Sequence, residues 1–138
     1  MIKYKNDSER LAQELMELQY KNNDLYELMV NDLAPWILTM FGKDLVITMI
    51  YRTDAEQDSI YNGKSNSRGR KYDEKPWKSP HQFYHAIDLR SKTFSENEIE
   101  SIVSYINRKY QPSNYYKSTA FCHNVGLGDH FHLQFVVG

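Results

Sequence analysis

Residues 128–137 read Gly128-Asp129-His130-Phe131-His132-Leu133-Gln134-Phe135-Val136-Val137, and the alternation within this run decides the fold. Successive side chains of a strand point to opposite faces. Phe131, Leu133 and Phe135 therefore share one face, suited to a core, and His130, His132 and Gln134 share the other, suited to a groove. His85-Ala86-Ile87-Asp88-Leu89-Arg90 repeats the pattern, with Ala86, Asp88 and Arg90 opposite Ile87 and Leu89. A carboxylate on the polar face of one strand and imidazoles on that of another can converge on one ion.

Working outward, Leu45–Tyr51 (LVITMIY) is a β-branched, apolar run expected to form a buried strand. Residues 115–122 and 130–137 are expected as two strands joined by the turn VGLGD. The first 42 residues read as helical. Asp7 or Ser8 caps a helix carrying Leu11, Leu15 and Leu18 on one face, and Asn22-Asn23-Asp24 marks a break and a second cap. Leu25, Leu28, Met29 and Leu33 continue the stripe; Pro35 opens a short helix over 36–41 that Gly42 ends. Thr53-Asp54-Ala55-Glu56 and Ser95-Glu96-Asn97-Glu98 are capping boxes, the second leading Ile99, Ile102, Val103 and Ile106 along one helical face. Residues 62–80 read as a long, basic, functional or mobile loop. The expected fold is α+β, a mostly antiparallel sheet flanked by helices, with a helical N-terminal segment (1–42) before the main unit (43–138).

At 138 residues the chain suits one core. Its net charge of −1 argues against nucleic acid as a partner, because broad phosphate neutralisation needs a basic surface. Cys122 is the sole cysteine, so neither an intrachain disulfide nor a cysteine-rich zinc site can form. No signal-type segment or stretch of transmembrane length is visible, so the expectation is synthesis in a cytoplasm and no membrane association.

Two histidines and a carboxylate with a fourth position open are the ligand set of a catalytic zinc. HxH in a strand does not by itself select that reading over ordinary hydrogen-bonded histidines. His123 and His130 are candidates for supporting or substrate contacts, His85 reads as structural, and Cys122 as a small hydrophobe. The ordered segments Ser79-x-His81-x6-Asp88 and Asp129-x-x-His132, with Tyr51-Arg52 and then Gln57 and Tyr61 upstream, resemble the D-Ala-D-Ala carboxypeptidase and peptidoglycan endopeptidase family, which shares its fold with the Hedgehog signalling domain. The resemblance covers about residues 44–137. It implies Zn2+ held by His81, Asp88 and His132, and Asp129 as the general base that passes a proton to the leaving amine. It also implies Arg52 facing the substrate carbonyl or carboxylate, and Ser79 supporting the first ligand, with Gln57 and His130 as further substrate-binding or supporting residues.

The implied function is zinc-dependent hydrolysis of a peptide bond in bacterial cell-wall stem peptides by a phage-type enzyme. It would act at the wall after release, or in a virion beside other phage structural proteins. The family's glycine three residues after the first ligand is Tyr84 here; a positive φ there strains a tyrosine by about 1–2 kcal/mol. Met49-Ile50 replaces the usual Ser-Gly before Tyr-Arg. Two rivals stand beside this reading. One is a catalytically silent metal-binding module of a phage particle. The other is an HxH-type single-strand DNA nuclease, which leaves the Ser79–Asp88 segment unexplained.

Overall fold

A computed structural model describes residues 1–61, 79–112, 116–124 and 129–137. The loop expected over 62–80 falls outside the described residues except for Ser79 and Pro80, as does most of the VGLGD turn. The elements run β1 (Ile2–Tyr4), a 3-10 turn (Lys5–Asp7), α1 (Glu9–Lys21), α2 (Asn23–Glu27), a π-helical stretch (Leu28–Leu33), α3 (Ala34–Phe41), β2 (Leu45–Met49) and α4 (Asp54–Tyr61). A 3-10 turn (Pro80–Phe83), β3 (Ala86–Arg90), α5 (Glu96–Lys109), β4 (Ala120–Asn124) and β5 (Asp129–Gln134) complete them. The described strands form one mixed sheet in the order β1-β2-β3-β5-β4. β1 runs parallel to β2, and the other pairings are antiparallel. The architecture is α+β, as expected.

Local chemistry sets most boundaries. Ser8 caps α1 through a bond from the Leu11 amide, and Gly42 ends α3 in the left-handed region at φ 65°. Both capping boxes form, at Thr53 and at Ser95, each side chain and backbone amide answering the glutamate three residues on. Besides strands that end two or three residues early, at Met49 and Gln134, three details differ from expectation. Residues 2–4 are an edge strand rather than the start of the helical segment, because Ile2 and Tyr4 pack beside the core while β1 pairs with β2. The stripe after Asn22 winds as α2 and then π-helix, which carries Asp32 to α5. There Asp32 takes hydrogen bonds from Tyr105 (2.5 Å) and Tyr110 and an ion pair from Lys109 at 2.7 Å. The strand expected from residue 115 begins at Ala120, since Thr119 is turned to Asn107 and the Tyr110 carbonyl.

One apolar core joins the helices to the sheet. Leu18, Leu25, Met29 and Ile37 from the N-terminal helices meet Ile47, Ile87, Leu89, Phe131 and Leu133 from the strands and Ile102 and Ile106 from α5, all fully buried. The face of β3 and β5 opposite this core is thereby left to Asp88, His130, His132 and Gln134.

Asn22 ties the helical layer to that face. Its side-chain oxygen caps α2, and its amide donates to the carbonyls of Tyr84 (3.0 Å) and Phe135 (2.7 Å). Tyr84 lies three residues after His81, and Phe135 directly follows Gln134. Asn22→Ala strands two carbonyls and a cap at a buried position, so it is expected to cost roughly 2 kcal/mol or more in a denaturant titration. A loss below about half a kcal/mol would show the clamp to be idle.

Arg10 joins α1 to α4, bonding both oxygens of Glu56 (2.8 and 2.7 Å) and Glu14 at 2.7 Å. The Arg10 bonds lower the Glu56 carboxyl from 4.5 to about 2, against the effect of burial. A carboxyl with a depressed folded-state pKa stabilises fully above its unfolded value and loses that contribution as pH falls through the folded one. Comparing denaturation midpoints of wild type and Glu56→Gln, the gap between them should hold above pH 4.5 and close toward pH 2. A pH-independent gap contradicts the assignment.

Candidate metal centre

Asp88 sits mid-strand in β3, with Met49 of β2 opposite it on one side and His132 of β5 on the other. Alternation turns Asp88, His130 and His132 to the same face. His81 arrives from the 3-10 turn, whose capping box holds Ser79 and Gln82; the Ser79 hydroxyl accepts from the His81 amide at 3.2 Å. His81, Asp88 and His132 are each more than nine-tenths buried. Their ligand atoms lie within 4.8 Å of one another, so the group can hold a metal ion.

The hydrogen bonds around the two histidines fix where their lone pairs point. His81 Nδ1 lies 3.0 Å from the Ile50 carbonyl, which only accepts, so Nδ1 carries the proton. Its Nε2 then presents a lone pair 3.1 Å from Asp88 Oδ1, and it is buried with no hydrogen-bond partner. For His132 the chain is longer. Gln134 Nε2 donates to the Ser118 carbonyl at 3.0 Å, which turns its Oε1 toward His132 Nε2, also at 3.0 Å. His132 Nε2 therefore carries the proton, and Nδ1 faces Asp88 Oδ1 at 3.0 Å as an acceptor.

Two imidazole lone pairs thus converge on one carboxylate in a buried site. Acceptors facing acceptors repel unless a cation lies among them. Protonating both rings instead would bury two imidazoliums against a single carboxylate, at a desolvation cost of several kcal/mol per ion. A metal satisfies all three groups, and the outward N–H of each histidine already has the carbonyl-type acceptor that metal-bound histidines require. The residues fit a metal. Burial opposes ionisation of Asp88; positive charge beside it, from protonated His81 and His132 or from a cation held among them, brings its carboxyl well below the usual carboxylate range.

The other expected site residues are distributed unevenly. His130 is buried, with Nε2 3.3 Å from the second oxygen of Asp88. Arg52 is also buried. Its Nη1 donates to Gln57 at 2.8 Å, and its Nε and Nη2 meet the Met49 sulfur at 3.2 and 3.1 Å. Asp129 is exposed at the first position of β5, where alternation aligns it with Phe131 rather than His132. It nonetheless lines the cavity, about 600 Å³, that Asp88, His130, Met49 and Arg90 also line. His85 stands apart from the group, its Nδ1 2.9 Å from the Tyr116 hydroxyl, and burial pushes its pKa down. The side chain of His123 lies outside what is described.

Three supporting contacts were not among the expected site residues: the Ile50 carbonyl, Gln134, and Phe121, whose ring stacks on His132 at 4.9 Å. Gln134 shares the His130/His132 face and could have been found by alternation; a backbone carbonyl carries no sequence signal. Tyr84 has φ 58°, so the position does require the left-handed conformation that glycine accepts freely. Stacking on Tyr51 at 5.1 Å and packing against the core offset that strain.

Comparison of the chain with protein-family models, curated proteins and solved structures finds no match. Among the described residues no helix is long and apolar enough to cross a membrane.

Metal titration with elemental analysis should give one ion per chain. His132→Ala should abolish binding, and His85→Ala should leave it intact. Metal-free protein that remains so after incubation with zinc would contradict the assignment.

Proposed function

We propose that the chain is a zinc-dependent peptidase acting on cell-wall stem peptides, of the D-Ala-D-Ala carboxypeptidase and peptidoglycan endopeptidase type with the Hedgehog-like fold. The single observation that carries the proposal is the convergence of His81, Asp88 and His132 through lone pairs in one buried group. Two histidines and one carboxylate suit zinc better than magnesium or calcium, which prefer oxygen ligands. When bound, the ion would supply Lewis acidity to a scissile carbonyl and acidity to an adjacent water.

The chain's own residues divide the remaining work. Ile50 and Gln134 fix the tautomers of His81 and His132, keeping Nε2 of the first and Nδ1 of the second available as ligands. Asp129, in the shared cavity, is the base that takes the proton of the attacking water and returns it to the leaving amine. Arg52 and Gln57 hold the Met49 wall of the cleft, and His130 steadies Asp88 from its second oxygen. The substrate is a peptide of the wall, met after release from a host cell or from a virion.

A second reading, a metal-bearing structural module of a phage particle without catalysis, is favoured by two observations. Asp129 is exposed and stands outside the metal-binding group, and the Met49 sulfur occupies the Arg52 edge that would otherwise meet substrate.

Asp129→Asn separates the two. It removes the proton acceptor and keeps shape, so zinc content and folding should hold while cleavage of wall peptides falls by roughly 10²–10⁴-fold, followed by mass spectrometry of the products. Equal cleavage by both proteins removes Asp129 from the mechanism. If neither protein cleaves any wall preparation, the structural reading stands.

A further inference from the structure

The cavity beside the metal-binding group is lined by three cations, Lys5, Arg90 and Lys92, and by two carboxylates, Asp88 and Asp129. One of those carboxylates belongs to the metal-binding group, so the remaining lining is basic. Arg90 is two residues from Asp88 on the same face of β3, paired in register with His130. It is half-buried, and among the described residues no carboxylate lies within ion-pair distance of it and no acceptor takes its guanidinium. Arg52 presents the opposite case: three of its nitrogens are occupied by Gln57 and Met49, and it is 3% exposed.

We infer that Arg90 is the anion-recognition residue of this cleft, taking a carboxylate of the bound peptide while Arg52 serves the wall. The inference rests on the peptidase reading for its ligand. A guanidinium is planar and offers two parallel N–H donors to a carboxylate, a geometry that Lys5 and Lys92 cannot supply. Held by β3 at the next same-face position after Asp88, Arg90 fixes the distance between the recognised carboxylate and the bond over the metal. Lys5 and Lys92, both exposed at the rim, add attraction without direction.

The test uses full-length, zinc-loaded protein with zinc content measured for every variant. Three blocked dipeptides serve as probes: acetyl-alanyl-glutamate amide with only a side-chain carboxylate, acetyl-alanyl-alanine with only a terminal one, and acetyl-alanyl-glutamine amide with none. Calorimetric titration should show at least one charged probe binding wild type about tenfold or more tighter than the neutral one. Arg90→Gln should abolish that preference at unchanged zinc content, and Arg90→Lys should restore part of it. The probe that responds identifies which carboxylate is read. Charged probes that bind Arg90→Gln as tightly as wild type, through the zinc alone, overturn the inference. So does a wild type that does not distinguish charged from neutral probes. Arg90-dependent binding with no cleavage of any wall peptide supports the inference and removes the peptidase reading. Cleavage with an unchanged KM in Arg90→Gln does the reverse.

Discussion

A carboxylate buried mid-sheet is the constraint around which the described structure is arranged. Asp88 sits between β2 and β5 with imidazole nitrogens 3.1 and 3.0 Å from one oxygen and a third 3.3 Å from the other. An unpaired carboxylate in such a place costs far more than a helix cap or a surface ion pair returns. The surrounding hydrogen bonds make sense as a way to keep acceptors, rather than donors, pointed at it. Ile50 and Gln134 claim the N–H groups of His81 and His132, and Ser118 holds Gln134 in the orientation that does so. A cation held there would complete the arrangement.

The helical layer contributes to this site through backbone placement rather than chemistry. Asn22 reaches from the α1–α2 junction to the carbonyls after both histidine-bearing segments. The core buries the opposite face of β3 and β5 against Ile102, Ile106 and the N-terminal leucines. A one-residue slip of β5 would exchange Phe131 for His132 at the core, and one of β3 would exchange Leu89 for Asp88, which makes the register costly to change. The apolar packing behind β3 and β5 thereby fixes which side chains share the metal-binding face.

Much of this was legible in the sequence, and the exceptions have physical causes. Alternation in 130–134 and 86–90 gave the two faces correctly because one face is fully apolar and the other carries every polar residue of the two runs. The capping boxes at Thr53 and Ser95 were readable because their partners are three residues apart. β1 was not, since three residues at a sheet edge carry no periodicity and their pairing with β2 is set by tertiary contact. The π-helical stretch was hidden because its Leu and Met spacing also fits an α-helix. Within the site, Asp88 and His132 could be placed by face, whereas the occupation of Arg52 by Met49 depends on side-chain conformation that no spacing encodes.

Two neutral imidazoles that aim their lone pairs at Asp88 are the feature on which the metal assignment depends. Nitrogen NMR of histidine-labelled protein, recorded with and without zinc, reads this directly. The Nδ1–H tautomer is expected at His81 and the Nε2–H tautomer at His132, with zinc shifting only His81 Nε2 and His132 Nδ1 among the ring nitrogens of these two residues. Two imidazolium rings that zinc leaves unchanged, or the opposite tautomer at either residue, would contradict it.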